Sequence, residues 1–196
     1  MAYHNIFLEQ VRNSFVVGSY YPALTGTCSL GERILNHLII TLRGYYKTTP
    51  EYKKVFRKTS FDNWPQVIDT LRAWDVLLPE AAKKLRELNE KRNKAIHFNI
   101  ETERNVRQLA LEAIKLLQEV IAKQFSGFGN QPWFFWVPGE CYIKKEWEDK
   151  PFVKHVYIPN CGYVGYKHRV ESVSPRWVIN DRFEYTETSL TDEEFA

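Results

Sequence analysis

The sequence lacks paired cysteines, long apolar runs, internal repeats and phosphate-binding glycine loops, and each absence removes a class of protein. Three cysteines, Cys28, Cys141 and Cys161, form an odd count at wide spacing. They supply neither a disulfide framework nor a paired-cysteine zinc ribbon, so reduced thiols are expected. No uninterrupted apolar run approaches the roughly 20 residues needed to span a bilayer. Glu9 interrupts the first helix-like stretch, which leaves no secretory pattern. A cytoplasmic protein with no membrane partner is therefore expected. The stretch Gly162 to Gly165 lacks the Lys-Ser/Thr pair of a phosphate loop, and neither a nucleophile elbow nor a paired-carboxylate motif occurs. Cys141, His155, Cys161 and His168 are zinc-ligand types, but their irregular separations give no metal motif. The expectation is a chain without metal or cofactor.

What is present suits a folded domain. Of 196 residues, 44% are apolar and 15% aromatic, enough to build one sizeable core and a small annex. Charge is unevenly spread. Residues 1–126 carry a net excess of six cations and residues 127–196 a net excess of three acids. Within the first part, Arg43, Lys47, Lys53, Lys54, Arg57 and Lys58 face only Glu51 in the same segment. Such a patch can receive a polyanion such as RNA, or it can be a solvated face.

Apolar spacing divides the first part into helices. Phe7, Leu8, Val11 and Phe15 recur at helical intervals between Asn5 and Gly18, and Tyr20-Tyr21-Pro22 then breaks the chain. Leu24, Cys28, Gly31, Leu35, Leu38 and Leu42 form a stripe along a second, longer helix ending near Gly44. Gly31 on that stripe costs about 1 kcal/mol of helix propensity relative to Ala, which suggests a close approach by a neighbour. The segment from Lys47 to Asn63, broken by Pro50, reads as a basic loop with one helical turn around Tyr52 to Phe56. Further helices are expected over Trp64 to Trp74 and Pro79 to His97, each with a proline in its first turn, and after Glu101 and Glu103, through Val106 to Ile121. Short links make an antiparallel bundle the natural packing.

At Ser126 to Asn130 the character changes. Trp133 to Val137, Cys141 to Ile143, Phe152 to Ile158, Tyr163 to Tyr166 and Trp177 to Tyr185 are β-type runs separated by Pro, Gly and Asn. The division expected is a helical bundle over residues 1–126 and a small β-rich extension over 127–196. The extension holds 15 of the 29 aromatic residues, so it needs a hydrophobic partner. Trp133-Phe134-Phe135-Trp136 reads foremost as core, with base stacking as the other use. Asp192-Glu193-Glu194 reads as a frayed acidic end.

One constellation stands out. Ala81, Leu85, Leu88, Arg92 and Ala95 fall on one side of an ideal helix, so Arg92 interrupts an apolar stripe. A guanidinium there calls for a carboxylate, a phosphate or an interface, and Glu32 beside Gly31 is the candidate carboxylate. His97 lies five residues on, rotated about 140° from Arg92, whereas Asn93 is one turn before His97 and on nearly the same side. A frayed turn, the long arginine stem or a second copy of the chain are the ways to unite them. Taken alone, Arg92 is an ion-pairing residue and His97 a helix cap.

The string Arg92-Asn93-Lys94-Ala95-Ile96-His97, late in a helix and followed by another long helix, resembles the HEPN family (higher eukaryotes and prokaryotes nucleotide-binding). The resemblance covers roughly residues 1–126. It implies a helical bundle that forms a homodimer, and a metal-independent endoribonuclease of the kind found in toxin–antitoxin and phage-defence systems, with an antitoxin or other regulatory protein as partner. Arg92 would hold the phosphate, Asn93 position it, and His97 move the proton, its type titrating near neutrality. Other members serve as dimerisation, nucleotide-binding or RNA-binding modules without cleavage, which is the second function implied.

Overall fold

A computed structural model describes residues 2–97, 100–126, 131–137, 140–160, 169–172, 178–180, 191 and 193. The chain divides into two compact units, Met1–Phe125 and Ser126–Ala196. In the first, six helices follow in order: α1 (Ala2–Val16), α2 (Tyr20–Leu42), the short α3 (Tyr52–Val55), α4 (Trp64–Ala73), α5 (Pro79–Ile96) and α6 (Ile100–Phe125). A single 3-10 turn, Arg43–Tyr46, extends α2.

The helices end where backbone chemistry dictates. Gly18 adopts φ +85°, and the amides of Ser19 and Gly18 bond back to the carbonyls of Ser14 and Phe15, a Schellman closure that needs a left-handed residue. The break therefore falls at Gly18, and Pro22 sits inside the first turn of α2, where its missing N–H costs nothing. Asp75, at φ 54°, closes α4 in the same way through Val76 and Leu71. At its other end, the Asn63 side chain accepts the Gln66 N–H, a standard N-cap. Helix α6 bends at Asn105, whose φ of −126° and ψ of 24° leave the helical range.

Helix α2 is the centre of the bundle. It contributes eleven buried residues, from Ala23 to Leu42, spread round too wide an arc for one neighbour, and it packs against α1, α4, α5 and α6. Side-chain contacts fix the directions. Glu80, Lys84 and Lys91 of α5 pair with Lys123, Glu119 and Glu112 of α6, so the two run antiparallel. Val11 and His4 of α1 meet Gly26 and His37 of α2, which is again antiparallel. At the far end of α6, the buried Gln124 amide donates to the Val76 carbonyl at 2.9 Å and accepts the Leu78 N–H at 2.9 Å. It thereby satisfies the turn that leads into α5.

The second unit shows no β-rich extension among the described residues. Its strands are short: Phe134–Val137 pairs antiparallel with Glu140–Ile143, and Arg169–Ser172 with Val178–Asn180. Among the described residues they are matched by helical turns at Lys145–Glu148 and over 151–160. The run Phe152 to Ile158, expected as a strand, is helical with a π-type stretch over Val153–Tyr157. Phe152, Val153, Val156 and Tyr157 are its buried side chains, a spacing of helical period. Trp133 is buried against the rings of Trp147, Phe152 and Tyr157, in keeping with a core role. The expected run Tyr163 to Tyr166 and most of Trp177 to Tyr185 lie outside the described residues, as do Cys161, His168, Asp192 and Glu194.

Candidate functional site

Helix α5 carries the stripe of Ala81, Leu85, Leu88 and Ala95, all buried, and this face lies against α2. At Gly31 of α2, side chains from α4 and α5 press close to the backbone. A Cβ there would stand 2.6 Å from Trp64 Cη2 and 2.9 Å from Leu88 Cδ2, so only hydrogen fits. One residue further along α2, Glu32 turns its carboxylate to α5. Its Oε2 accepts from Arg92 Nη2 at 2.9 Å, Arg92 Nε at 3.1 Å and Trp64 Nε1 at 3.2 Å. The Arg92 guanidinium also lies over the Trp64 ring, 5.8 Å from its centroid, within reach of a cation–π contact. With side-chain exposures of 18% for Arg92 and 31% for Glu32, the pair is largely withdrawn from water.

Cys28 lies one turn before Glu32 on α2 and is buried. Burial pushes its thiol up to about 12, Arg92 pulling the other way and Glu32 adding to the rise. A thiol so protonated is a poor nucleophile at neutral pH.

Asn93 and His97 face the other way, both exposed. The helix stays regular through Ile96, and the His97 N–H still bonds the Asn93 carbonyl at 3.2 Å before His97 turns extended at φ −90°, ψ 145°. A frayed turn therefore does not carry His97 towards Arg92. Five helical residues separate them by about 7.5 Å along the axis and about 140° around it. Among the described residues, neither the Asn93 amide nor the His97 imidazole has a hydrogen-bond partner. The end of α5 is held from two sides: Tyr21 Oη donates to the Ala95 carbonyl at 3.2 Å, and Thr102 Oγ1 to the Lys94 carbonyl at 2.8 Å.

The six cations of the basic segment divide by role. Arg43 turns inward and donates through Nη1 to the carbonyls of Val55 and Lys58, at 2.9 and 2.5 Å, closing the C-terminal end of α3. Lys47, Lys53, Lys54, Arg57 and Lys58 are exposed.

Trp64 and Tyr21 join the site only in the folded chain. The glycine on the α2 stripe is the one sequence signal that points to a neighbour such as Trp64; nothing in the spacing marks Tyr21. Among the described residues no group of three or more His, Cys, Asp or Glu side chains could hold a metal ion, and no helix is long and apolar enough to cross a membrane. Compared with known proteins, the chain matches no family model, no curated protein and no solved structure.

Proposed function

We propose that the chain is a HEPN-like, metal-independent endoribonuclease acting at the C-terminal end of α5. The observation that carries the reading is the exposed imidazole of His97, set just past a regular helix with the exposed Asn93 amide one turn away. Among the described residues neither side chain makes a hydrogen bond or an ion pair. In the reaction, the 2′-hydroxyl of RNA loses its proton to a base and attacks the adjacent phosphorus. The bond from O2′ to phosphorus forms and the bond to O5′ breaks, leaving a 2′,3′-cyclic phosphate and a 5′-hydroxyl. His97 supplies a proton-transfer group and Asn93 a hydrogen-bond donor to the phosphate. Arg92 of the same chain points away, so a second copy of the chain, docked two-fold on the α5 end, is the arrangement that lets two sets of Asn93 and His97 share one phosphate. The exposed Lys47, Lys53, Lys54, Arg57 and Lys58 attract the RNA, and an antitoxin or other regulatory protein is the expected restraint on activity in the cell.

A second reading has its own support. The Glu32 carboxylate and Trp64 ring account for Arg92 without any phosphate, as suits a HEPN-like binding or dimerisation module that does not cleave. Incubation of labelled single-stranded RNA with the protein in EDTA separates the two, beside folded Arg92→Ala and His97→Ala variants. Cyclic-phosphate ends from the parent and none from His97→Ala support cleavage. Intact RNA across a broad panel, with binding unaffected by His97→Ala, supports the silent module.

A further inference from the structure

Some cations of the bundle surface meet carboxylates: Lys84 with Glu87 and Glu119, Arg86 with Asp69, Lys91 with Glu112, Lys123 with Glu80. The strap between α2 and α4 instead gathers five cations within twelve residues of sequence. Among the described residues Lys47, Lys53, Lys54, Arg57 and Lys58 are exposed and have no carboxylate partner. The strap also leaves aromatic rings in water, with Tyr45 53% and Phe56 40% exposed, although burying a ring of that size is worth about 1.5–3 kcal/mol. Phe56 stacks with Tyr52 at 5.5 Å between centroids and 29° between planes, and Arg57 lies over the Phe56 ring at 5.0 Å.

This surface is preformed. Arg43 closes the end of α3, Val55 is its buried anchor, and Tyr46 lies flat on Trp74 at 4.5 Å and 3°. Trp74 Nε1 donates to Thr49 Oγ1 at 2.9 Å, and Tyr46 Oη to the Trp74 carbonyl at 3.0 Å. A ligand therefore does not have to order the backbone on which it binds.

We infer that the strap from Tyr45 to Lys58 is a docking surface for single-stranded nucleic acid, whose bases stack on Phe56 and the Tyr52 and Arg57 groups beside it while the lysines take the phosphates. Rings and guanidinium planes accept any base by its face, and interleaved lysines track a backbone. Arg57, held by no carboxylate, either extends the stack beneath a base or yields its place on the ring. A duplex keeps its bases stacked on each other and out of reach of Phe56. An acidic peptide satisfies the lysines but gives the rings no partner. The inference deepens the RNA reading by naming the strand state and the surface, and it does not depend on cleavage at His97.

Binding is measured in a His97→Ala background, so that loss of cleavage and loss of binding stay separate. Fluorescence anisotropy at physiological salt compares a short labelled single-stranded RNA with the same sequence as a duplex, with polyglutamate and phosphatidylserine vesicles as rival anions. Tighter binding of the single strand is expected. Phe56→Leu keeps an apolar side chain without a π face and lowers affinity about 5-fold or more; Phe56→Trp retains it. Replacing Lys53 and Lys54 with Ala weakens binding and flattens its salt dependence by about 0.7 in logarithmic slope for each phosphate no longer neutralised. Equal affinity of Phe56→Leu and parent, duplex binding as tight as single-strand binding, or binding of vesicles or polyglutamate but not RNA each overturns the inference.

Discussion

Replacing Gly31 with Ala sets two opposing terms against each other, and the structure decides which wins. Alanine in a helix interior is favoured over glycine by about 1 kcal/mol, so an unobstructed site would gain stability. At Gly31 the new methyl would lie 2.6 Å from Trp64 Cη2, 2.9 Å from Leu88 Cδ2 and 3.3 Å from Trp64 Cζ3. Trp64 and Leu88 are buried, and the indole is tethered through its N–H to Glu32, so neither moves freely. Overpacking of this kind costs about 1–3 kcal/mol, and more where the backbone must shift. With two approaches this short the upper part of that range applies, leaving a net loss of about 1–2 kcal/mol. For a unit of 125 residues an unfolding entropy of about 2.1 cal/mol/K per residue converts this to a Tm lower by about 4–8 °C. Scanning calorimetry reads the shift, and Gly44→Ala is the control, because a Cβ at Gly44 meets nothing within 4 Å. Trp64→Phe in the Gly31→Ala background should cost less than the two single losses added, a coupling of about 1 kcal/mol. A Tm for Gly31→Ala equal to or above that of the parent would refute the close-approach argument.

Arg92→Ala should destabilise the bundle by about 1–3 kcal/mol in urea, because the Glu32 carboxylate loses its cation and the Trp64 ring its cation–π contact, whereas His97→Ala should stay within about 0.5 kcal/mol; similar losses from both would contradict the assignment of one to the interior and the other to the surface. His4 is buried with its Nδ1 unpartnered among the described residues, and burial foremost, then His37 and Arg33, lowers its pKa to about 4 from 6.5. The unfolded chain therefore binds the proton more readily, and stability that is complete above pH 6.5 falls as the pH drops towards 4, by about 1–2 kcal/mol after allowance for solvent screening; His4→Phe should flatten that part of a Tm-against-pH curve, and an unchanged slope would exclude His4 as its source. Gln124→Leu orphans the Val76 carbonyl and the Leu78 N–H together and should cost about 2–4 kcal/mol in chemical denaturation, far more than a Lys123→Ala control at an exposed ion pair.

The helices of the first unit are legible in the sequence because each shows its buried face at helical spacing, and the glycine on the α2 stripe correctly announces a close neighbour. Arg92 on an apolar face likewise demands a carboxylate, and Glu32 is the one it meets. Propensity misleads at Phe152 to Ile158, where β-branched and aromatic residues argue for a strand while the buried positions Phe152, Val153, Val156 and Tyr157 carry the helical period. The difference within the basic segment is not readable at all: Arg43 and Lys47 look alike in sequence, and only the fold turns one into a staple on α3. Nor can spacing reveal that Trp64, some thirty residues from Glu32 in sequence, shares its carboxylate oxygen with Arg92.

The Gln124 hydrogen bonds also bear on how the protein is made. Gln124 follows the backbone groups it satisfies by 48 and 46 residues. At a synthesis rate of about 5–20 residues per second, the turn before α5 waits about 2–10 s for its partner to be added. His97 is added partway through that interval, and from then until residue 124 the whole of α5 is in the nascent chain without the Gln124 bonds at its beginning. The final turn of α6 supplies those bonds, and a ribosome that stalls between residues 97 and 124 holds a chain whose α5 is complete but lacks them.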